Sequence, residues 1–103
     1  MVIAEFRSMN QLDKIAVTKH ARERLAERGI WMDDIISAIS SGEIIKAYLD
    51  DKPLPSCLIL GKAVSGKALH VVVSKDIEFI YLITAYFPNP EQWQSDFRTR
   101  KEC

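Results

Sequence analysis

Residues 67–86 read KALHVVVSKDIEFIYLITAY, and this stretch decides the fold class. Its two ends are rich in β-branched and aromatic residues, and a short polar segment, KDIE, separates them. This pattern predicts two antiparallel strands joined by a tight turn. If the strands pair as a hairpin, His70 lies across from Tyr86 or Thr84, so that an imidazole, a phenol and a hydroxyl converge on one face.

The rest of the chain extends this pattern towards the N-terminus. Two further extended segments, 43–49 and 56–64, precede the hairpin, and helical periodicity precedes them. We predict a short helix within 1–14, a second from Thr18 to Gly29 and a third over about 32–41. The fold class is therefore α+β: one domain, residues 1–103, with N-terminal helices packed on a four-stranded antiparallel sheet. The other sheet face is expected to be free for a ligand.

Strict alternation makes a definite prediction about the last strand. The side chains of residues 79–86 fall into two sets on opposite faces of the strand. One face carries Ile80, Leu82, Thr84 and Tyr86, and the other carries Phe79, Tyr81, Ile83 and Ala85.

Composition excludes several classes of protein. The 14 basic and 14 acidic residues give zero net charge, which argues against a protein that binds nucleic acid by overall charge alone. No apolar run approaches the roughly 20 residues of a membrane-spanning helix, and no signal-peptide pattern is present, so we expect a soluble cytoplasmic protein. Cys57 is expected to be buried and Cys103 frayed, without a disulfide. Neither a metal nor a cofactor is expected, since no zinc-ligand spacing occurs.

The second predicted helix carries a basic stripe. At 100° per residue, His20, Arg24 and Arg28 lie within roughly 80° of one another, beside an apolar edge. Arginine matches phosphate oxygens geometrically, so the stripe is typical of an anion site. Opposite charges three or four residues away, such as Glu27 near Arg24, are equally typical of a solvated, salt-bridged helix. Both interpretations stay open.

Together, these residues suit metal-independent RNA cleavage. That reaction needs a base for the ribose 2′-OH, an acid for the leaving oxygen and fixed positive charge for the phosphorane. Histidine serves either proton-transfer role near neutral pH, so His20 and His70 are candidates whose order is not assigned. A strand histidine such as His70 is, however, also typical of a hydrogen-bonded structural residue.

Several motifs in this order resemble an uncharacterised prokaryotic family, the domain-of-unknown-function family numbered 4258. They are TKHARERLAERGI, DDIISAISSGEII, LPSCLILG, GKALHVVV, ITAYFPNPEQW and DFRTRK, spanning about 17–101. The family is similar to small ribonuclease toxins of the RelE and barnase–colicin type. The resemblance implies a fold of helices followed by an antiparallel sheet, and a toxin paired with a small zinc-finger antitoxin. The residues that match its polar motif are His20, Arg24, Arg28, His70, Thr84 and Tyr86.

Two departures from the family pattern stand out. Trp31 occupies the place of a serine or threonine that would cap the third helix, which weakens the cap by about 1 kcal/mol. The zero net charge also differs from strongly basic, ribosome-dependent toxins, so we expect weak affinity for free RNA.

The leading hypothesis is a toxin-like, metal-independent endoribonuclease acting on RNA, free or presented by a ribosome, with no DNA or membrane partner. His20, Arg24, His70 and Tyr86 are its catalytic candidates, and Lys19, Arg28 and Thr84 its phosphate-binding ones. The alternative is a non-catalytic module that docks a protein or ligand on the sheet face, motivated by the neutral charge and by aromatic residues such as Trp31 and Trp93.

Overall fold

A computed structural model describes residues 1–101 of the chain; Cys103, expected to be frayed, lies outside the described residues. The helices are α1 (Ile3–Arg7), α2 (Lys19–Glu27) and α3 (Met32–Ser41), and the 3-10 turn Leu12–Lys14 precedes α2. The strands are β1 (Ile15–Val17), β2 (Glu43–Tyr48), β3 (Ser56–Lys62), β4 (Ala68–Lys75) and β5 (Ile80–Tyr86). The α+β class is confirmed. In the described part of the chain, no helix is long and apolar enough to cross a membrane.

The sheet has five strands in the order β1-β5-β4-β3-β2. Strands β2 to β5 form the predicted antiparallel meander, but β1 adds a parallel edge strand beside β5. The prediction of a four-stranded, wholly antiparallel sheet is therefore wrong by one strand. With three residues, β1 is too short for alternation to reveal it; it forms because Ile15 is buried against β5.

Local signals place α2 and α3 as expected. The Thr18 hydroxyl accepts a hydrogen bond from the Ala21 amide (3.1 Å), and Gly29 follows the helix with a φ of 70°. Trp31 precedes α3 without a side-chain cap. Asp34 takes over instead, because its carboxylate accepts from the amides of Trp31 and Val64, each at 2.9 Å. Asp34 thus ties the start of α3 to the turn after β3.

The hydrophobic core lies between the sheet and the helices. Helix α3 packs on β3 and β4, α2 packs along β5, and α1 packs on α3. The approach of α3 is closest at Gly61, where a Cβ would lie 2.6 Å from the Cα of Ala38. The fully buried core side chains are Phe6, Ile35, Ala38, Ile39, Cys57, Ile59, Leu69, Val71, Val73, Ile80 and Ala85.

A bulge in β5 changes which side chains share a face. The register steps from Val72–Thr84 to Val73–Leu82, so Ile83 has no partner and is 47% exposed. Leu82 and Ala85 both point into the core, whereas Thr84 and Tyr86 share the face of His70. The strict alternation predicted for this strand is therefore wrong beyond Leu82, although the pairing of His70 with Tyr86 is confirmed.

The sheet face opposite α3, here called the open face, carries Tyr48, Leu58, His70, Val72, Thr84 and Tyr86. The expectation that this whole face is free is wrong. Residues 88–101, here called the strap, turn back across it and place Trp93 against His70. As a result Trp93 is only 7% exposed and His70 is fully buried.

Candidate functional site

A chain of hydrogen bonds crosses the open face at His70. Its Nε2 lies 2.7 Å from the carbonyl oxygen of Phe97, and its Nδ1 lies 3.4 Å from the hydroxyl of Tyr86. Since a carbonyl only accepts, Nε2 must carry the proton and donate it. In the neutral imidazole Nδ1 is then the acceptor, and Tyr86 donates to it. A histidine oriented by one partner while it accepts from a hydroxyl is the arrangement of general-base sites.

The surroundings of this pair fix both protonation states near neutral pH. Burial lowers the pKa of His70 below its ordinary value, and the hydrogen bond to the Phe97 carbonyl only partly opposes this effect. Burial also raises the pKa of Tyr86, with a contribution from Tyr48 and opposition from Arg100 and Arg28. His70 is thus a neutral base beside an un-ionised phenol, and proton transfer between them is chemically available.

Arg28 joins the helical stripe to the open face. Its guanidinium donates to the hydroxyl of Thr84 (3.1 Å) and to the carbonyl of Ala85 (2.8 Å). These contacts lie where β1 no longer pairs with β5, since that pairing ends at Leu82. The C-cap residue of α2 therefore supplies a cation next to Tyr86.

A cleft of about 290 Å³ opens beside Tyr86, between the strap and strand β2. Three cations and three aromatic rings belong to its walls, and the full lining is Ile45, Lys46, Tyr48, Leu58, Tyr86, Trp93, Arg98 and Arg100. The ammonium of Lys46 and the guanidinium of Arg100 each lie 5.4 Å from an aromatic ring centre, of Tyr48 and Trp93 respectively. Cations interleaved with aromatic rings are typical of sites for single-stranded nucleic acid.

Sequence reasoning missed most of this cleft. It selected Thr84, Tyr86, His70 and Arg28, which the structure brings together, but neither β2 nor the strap. A signal was present at the C-terminus, where Arg98 and Arg100 stand out as basic residues. Nothing in the sequence shows that the strap folds back on the sheet.

The remaining candidates lie apart from this group. Lys19, His20 and Arg24 are all exposed on α2. Arg24 pairs with Glu27 at 3.1 Å, as the interpretation of a solvated helix expects. Within residues 1–101, no hydrogen bond or ion pair connects these three side chains to the cleft.

A larger groove, of about 830 Å³, lies between β1, β5 and the loop after β2. Two of its polar side chains, Tyr81 and Asp51, already have partners in the protein. Tyr81 donates to Asp76 (2.5 Å), and Asp51 accepts from Ser56 (2.5 Å). Lys52 is the one cation of its lining. The groove therefore suits an anionic ligand less well than the smaller cleft does.

Possible metal ligands and the thiol of Cys57 were also candidates for chemistry. In the part of the chain that the structure describes, no group of three or more His, Cys, Asp or Glu side chains could hold a metal ion. Cys57 is fully buried, as predicted, and burial raises the pKa of its thiol to about 11. This thiol is thus un-ionised and a poor nucleophile near neutral pH.

Comparisons with known proteins place the chain in a family. Neither the curated proteins nor the solved structures gave a match. The model of one family, described as a domain of unknown function (DUF4258), matches residues 17–87, from the end of β1 to just before the strap. The chain therefore belongs to the DUF4258 family.

Proposed function

We propose that the protein is a metal-independent endoribonuclease that binds RNA in the cleft of the open face. The observation that supports this most is the hydrogen-bonded chain from Tyr86 through His70 to the Phe97 carbonyl, which reaches the surface at a cleft with three cations in its lining. Proton transfer and phosphate stabilisation, the two requirements of RNA cleavage, are thus adjacent.

In the proposed reaction the ribose 2′-oxygen attacks the neighbouring phosphorus, and the bond from phosphorus to the 5′-oxygen breaks. The Tyr86 oxygen takes the 2′-hydroxyl proton while its own proton passes to Nδ1 of His70. The Phe97 carbonyl stabilises the resulting imidazolium through Nε2. Solvent in the open cleft protonates the leaving 5′-oxygen, and the products carry a 2′,3′-cyclic phosphate and a 5′-hydroxyl.

The cations have a separate role in the proposal. Arg98 and Arg100 lie in the wall of the cleft, and Arg28 is fixed beside Tyr86 through Thr84. Their fixed charge stabilises the additional negative charge that develops on the phosphorane. Because the chain as a whole is neutral, this local charge gives modest affinity for free RNA.

Cleavage of a short RNA in the presence of EDTA tests the proposal. Tyr86→Phe removes only the hydroxyl and is expected to slow cleavage by at least about 100-fold, the usual contribution of a general base. Tyr81→Phe is the matched control, because that hydroxyl binds Asp76 away from the cleft. Equal rates for wild type and Tyr86→Phe, or wild-type protein that leaves the RNA intact, would refute the proposal.

The proposal extends to a toxin that is neutralised by a small zinc-finger antitoxin, and the family resemblance supports this part. Induced expression is expected to arrest growth and to produce new ends in cellular RNA, whether that RNA is free or presented by a ribosome. Arrest should disappear in Tyr86→Phe at equal protein levels. Arrest that persists in this variant without new RNA ends would rule out a ribonuclease toxin.

A second candidate, a non-catalytic protein-binding module, is favoured by one observation. Trp31 is 77% exposed and borders a cavity of about 280 Å³ whose lining includes Leu25, Ile30 and Met32. Exposed tryptophans beside apolar surface are typical of contact hot spots. Capture of a partner that depends on Trp31 and not on Tyr86, with no RNA cleavage by wild type, would select this candidate.

A further inference from the structure

Two groups of the strap contact His70. Trp93 stands perpendicular to the His70 ring with the ring centres 4.5 Å apart, and the backbone of Phe97, with a φ of 55°, brings its carbonyl to Nε2 of His70. Beyond these contacts, the strap makes one ion pair with the sheet within residues 1–101, from Arg98 to Glu43 at the start of β2. His70 is buried only as long as the strap stays in place.

Arg98 therefore belongs to two arrangements. It is paired with Glu43, and it also lies in the wall of the cleft that is proposed to hold phosphate. The two side chains of this pair are 49% and 53% exposed. An ion pair so open to solvent is weak. A phosphate that reaches the cleft can therefore compete for Arg98, since the guanidinium fork matches phosphate oxygens.

We propose that the Arg98–Glu43 ion pair is an autoinhibitory latch, which RNA phosphate opens by taking Arg98 away from Glu43. Opening frees the strap beside Trp93, while the Phe97 carbonyl stays on Nε2 of His70. This inference rests on the proposed function in so far as the phosphate belongs to RNA bound in the cleft. Coupling of this kind is reciprocal. If RNA weakens the latch, removing the latch must strengthen RNA binding by the same factor.

The first arm of the test measures the latch without any ligand. In a Trp31→Phe background Trp93 is the single tryptophan, and acrylamide quenching reports its exposure. Glu43→Gln is expected to increase this quenching. Glu91→Gln is the matched control, since it removes the same charge from the exposed surface of the strap. Equal quenching in both variants overturns the latch, whatever the protein does with RNA.

The second arm measures binding of a 2′-O-methyl RNA oligonucleotide, which the proposed reaction cannot cleave, by fluorescence anisotropy. Glu43→Gln is expected to bind about two- to fivefold more tightly than wild type, the range that an exposed ion pair allows. Glu91→Gln should bind like wild type. Equal tightening in both variants indicates long-range charge and overturns the latch, as does no change in either.

The two arms separate the inference from the function on which it rests. If no variant binds the oligonucleotide, the proposed function fails, and RNA is excluded as the ligand that opens the latch. If wild type binds the oligonucleotide and Glu43→Gln changes neither affinity nor quenching, only the latch fails.

Discussion

The two tryptophans of the chain provide a direct test of how the strap covers His70. Trp93 is 7% exposed and Trp31 is 77% exposed, so the same substitution has very different expected effects at the two positions. An aromatic side chain of this size buries about 200 Å², which at about 25 cal/mol per Å² corresponds to about 5 kcal/mol. Replacing a buried aromatic residue with alanine usually lowers the free energy of unfolding by about 3 to 5 kcal/mol. We expect Trp93→Ala to lower it by at least about 3 kcal/mol. Trp31→Ala should cost less than about 0.5 kcal/mol.

Urea denaturation measures the two free energies of unfolding, and an NMR titration of the imidazole protons adds a readout at the site. Loss of Trp93 lets water reach His70, so the pKa of His70 should rise towards its ordinary value of 6.5. In Trp31→Ala it should not change. Equal stability losses in the two variants, together with an unchanged pKa of His70 in both, would refute the conclusion that the strap buries this histidine.

Three further predictions concern stability and reactivity. Burial lowers the pKa of His70 in the folded state, so below pH 6.5 the unfolded chain binds a proton at this residue more readily than the folded chain does. Wild type should therefore lose more stability than His70→Gln when the pH falls below 6.5. Parallel pH profiles of the melting temperature for the two proteins would contradict this. Gly61→Ala should lower the free energy of unfolding, measured by urea denaturation, by about 1 to 3 kcal/mol or more, because the added Cβ would lie 2.6 Å from the Cα of Ala38. Unchanged stability would show that α3 does not pack this closely on β3. In a Cys103→Ser variant, the buried thiol of Cys57 should react with an aromatic disulfide reagent only after unfolding, since its pKa is about 11. Rapid reaction of the native protein would contradict this prediction.

Much of the fold could be predicted because its signals are local. Thr18 and Gly29 delimit α2 through capping and a positive φ, and the turn at Gly66 (φ 89°) separates β3 from β4. Strand β1 could not be predicted, because its three residues are stabilised by pairing with β5, which is distant in sequence. The bulge at Ile83 could not be predicted either. One extra residue exchanges the two faces on which the following side chains lie, and the local sequence pattern does not show it.

The candidate site divides along the same line. The pairing of His70 with Tyr86 follows from the hairpin, which is local, and was predicted together with Thr84. The positions of Arg98 and Arg100 depend on how the strap folds back on the sheet, and that path is set by tertiary contacts such as Trp93 on His70. Periodicity carries no information about contacts of this kind.

The most direct test of the proposed function is to map where RNA binds. Amide chemical shifts of the labelled protein would be recorded during titration with a 2′-O-methyl RNA oligonucleotide. If RNA binds as proposed, the shifts concentrate at the cleft, around Lys46, Tyr86 and Arg100. Shifts confined to the exposed stripe of α2 around His20 and Arg24, or no shifts at millimolar RNA, would contradict it.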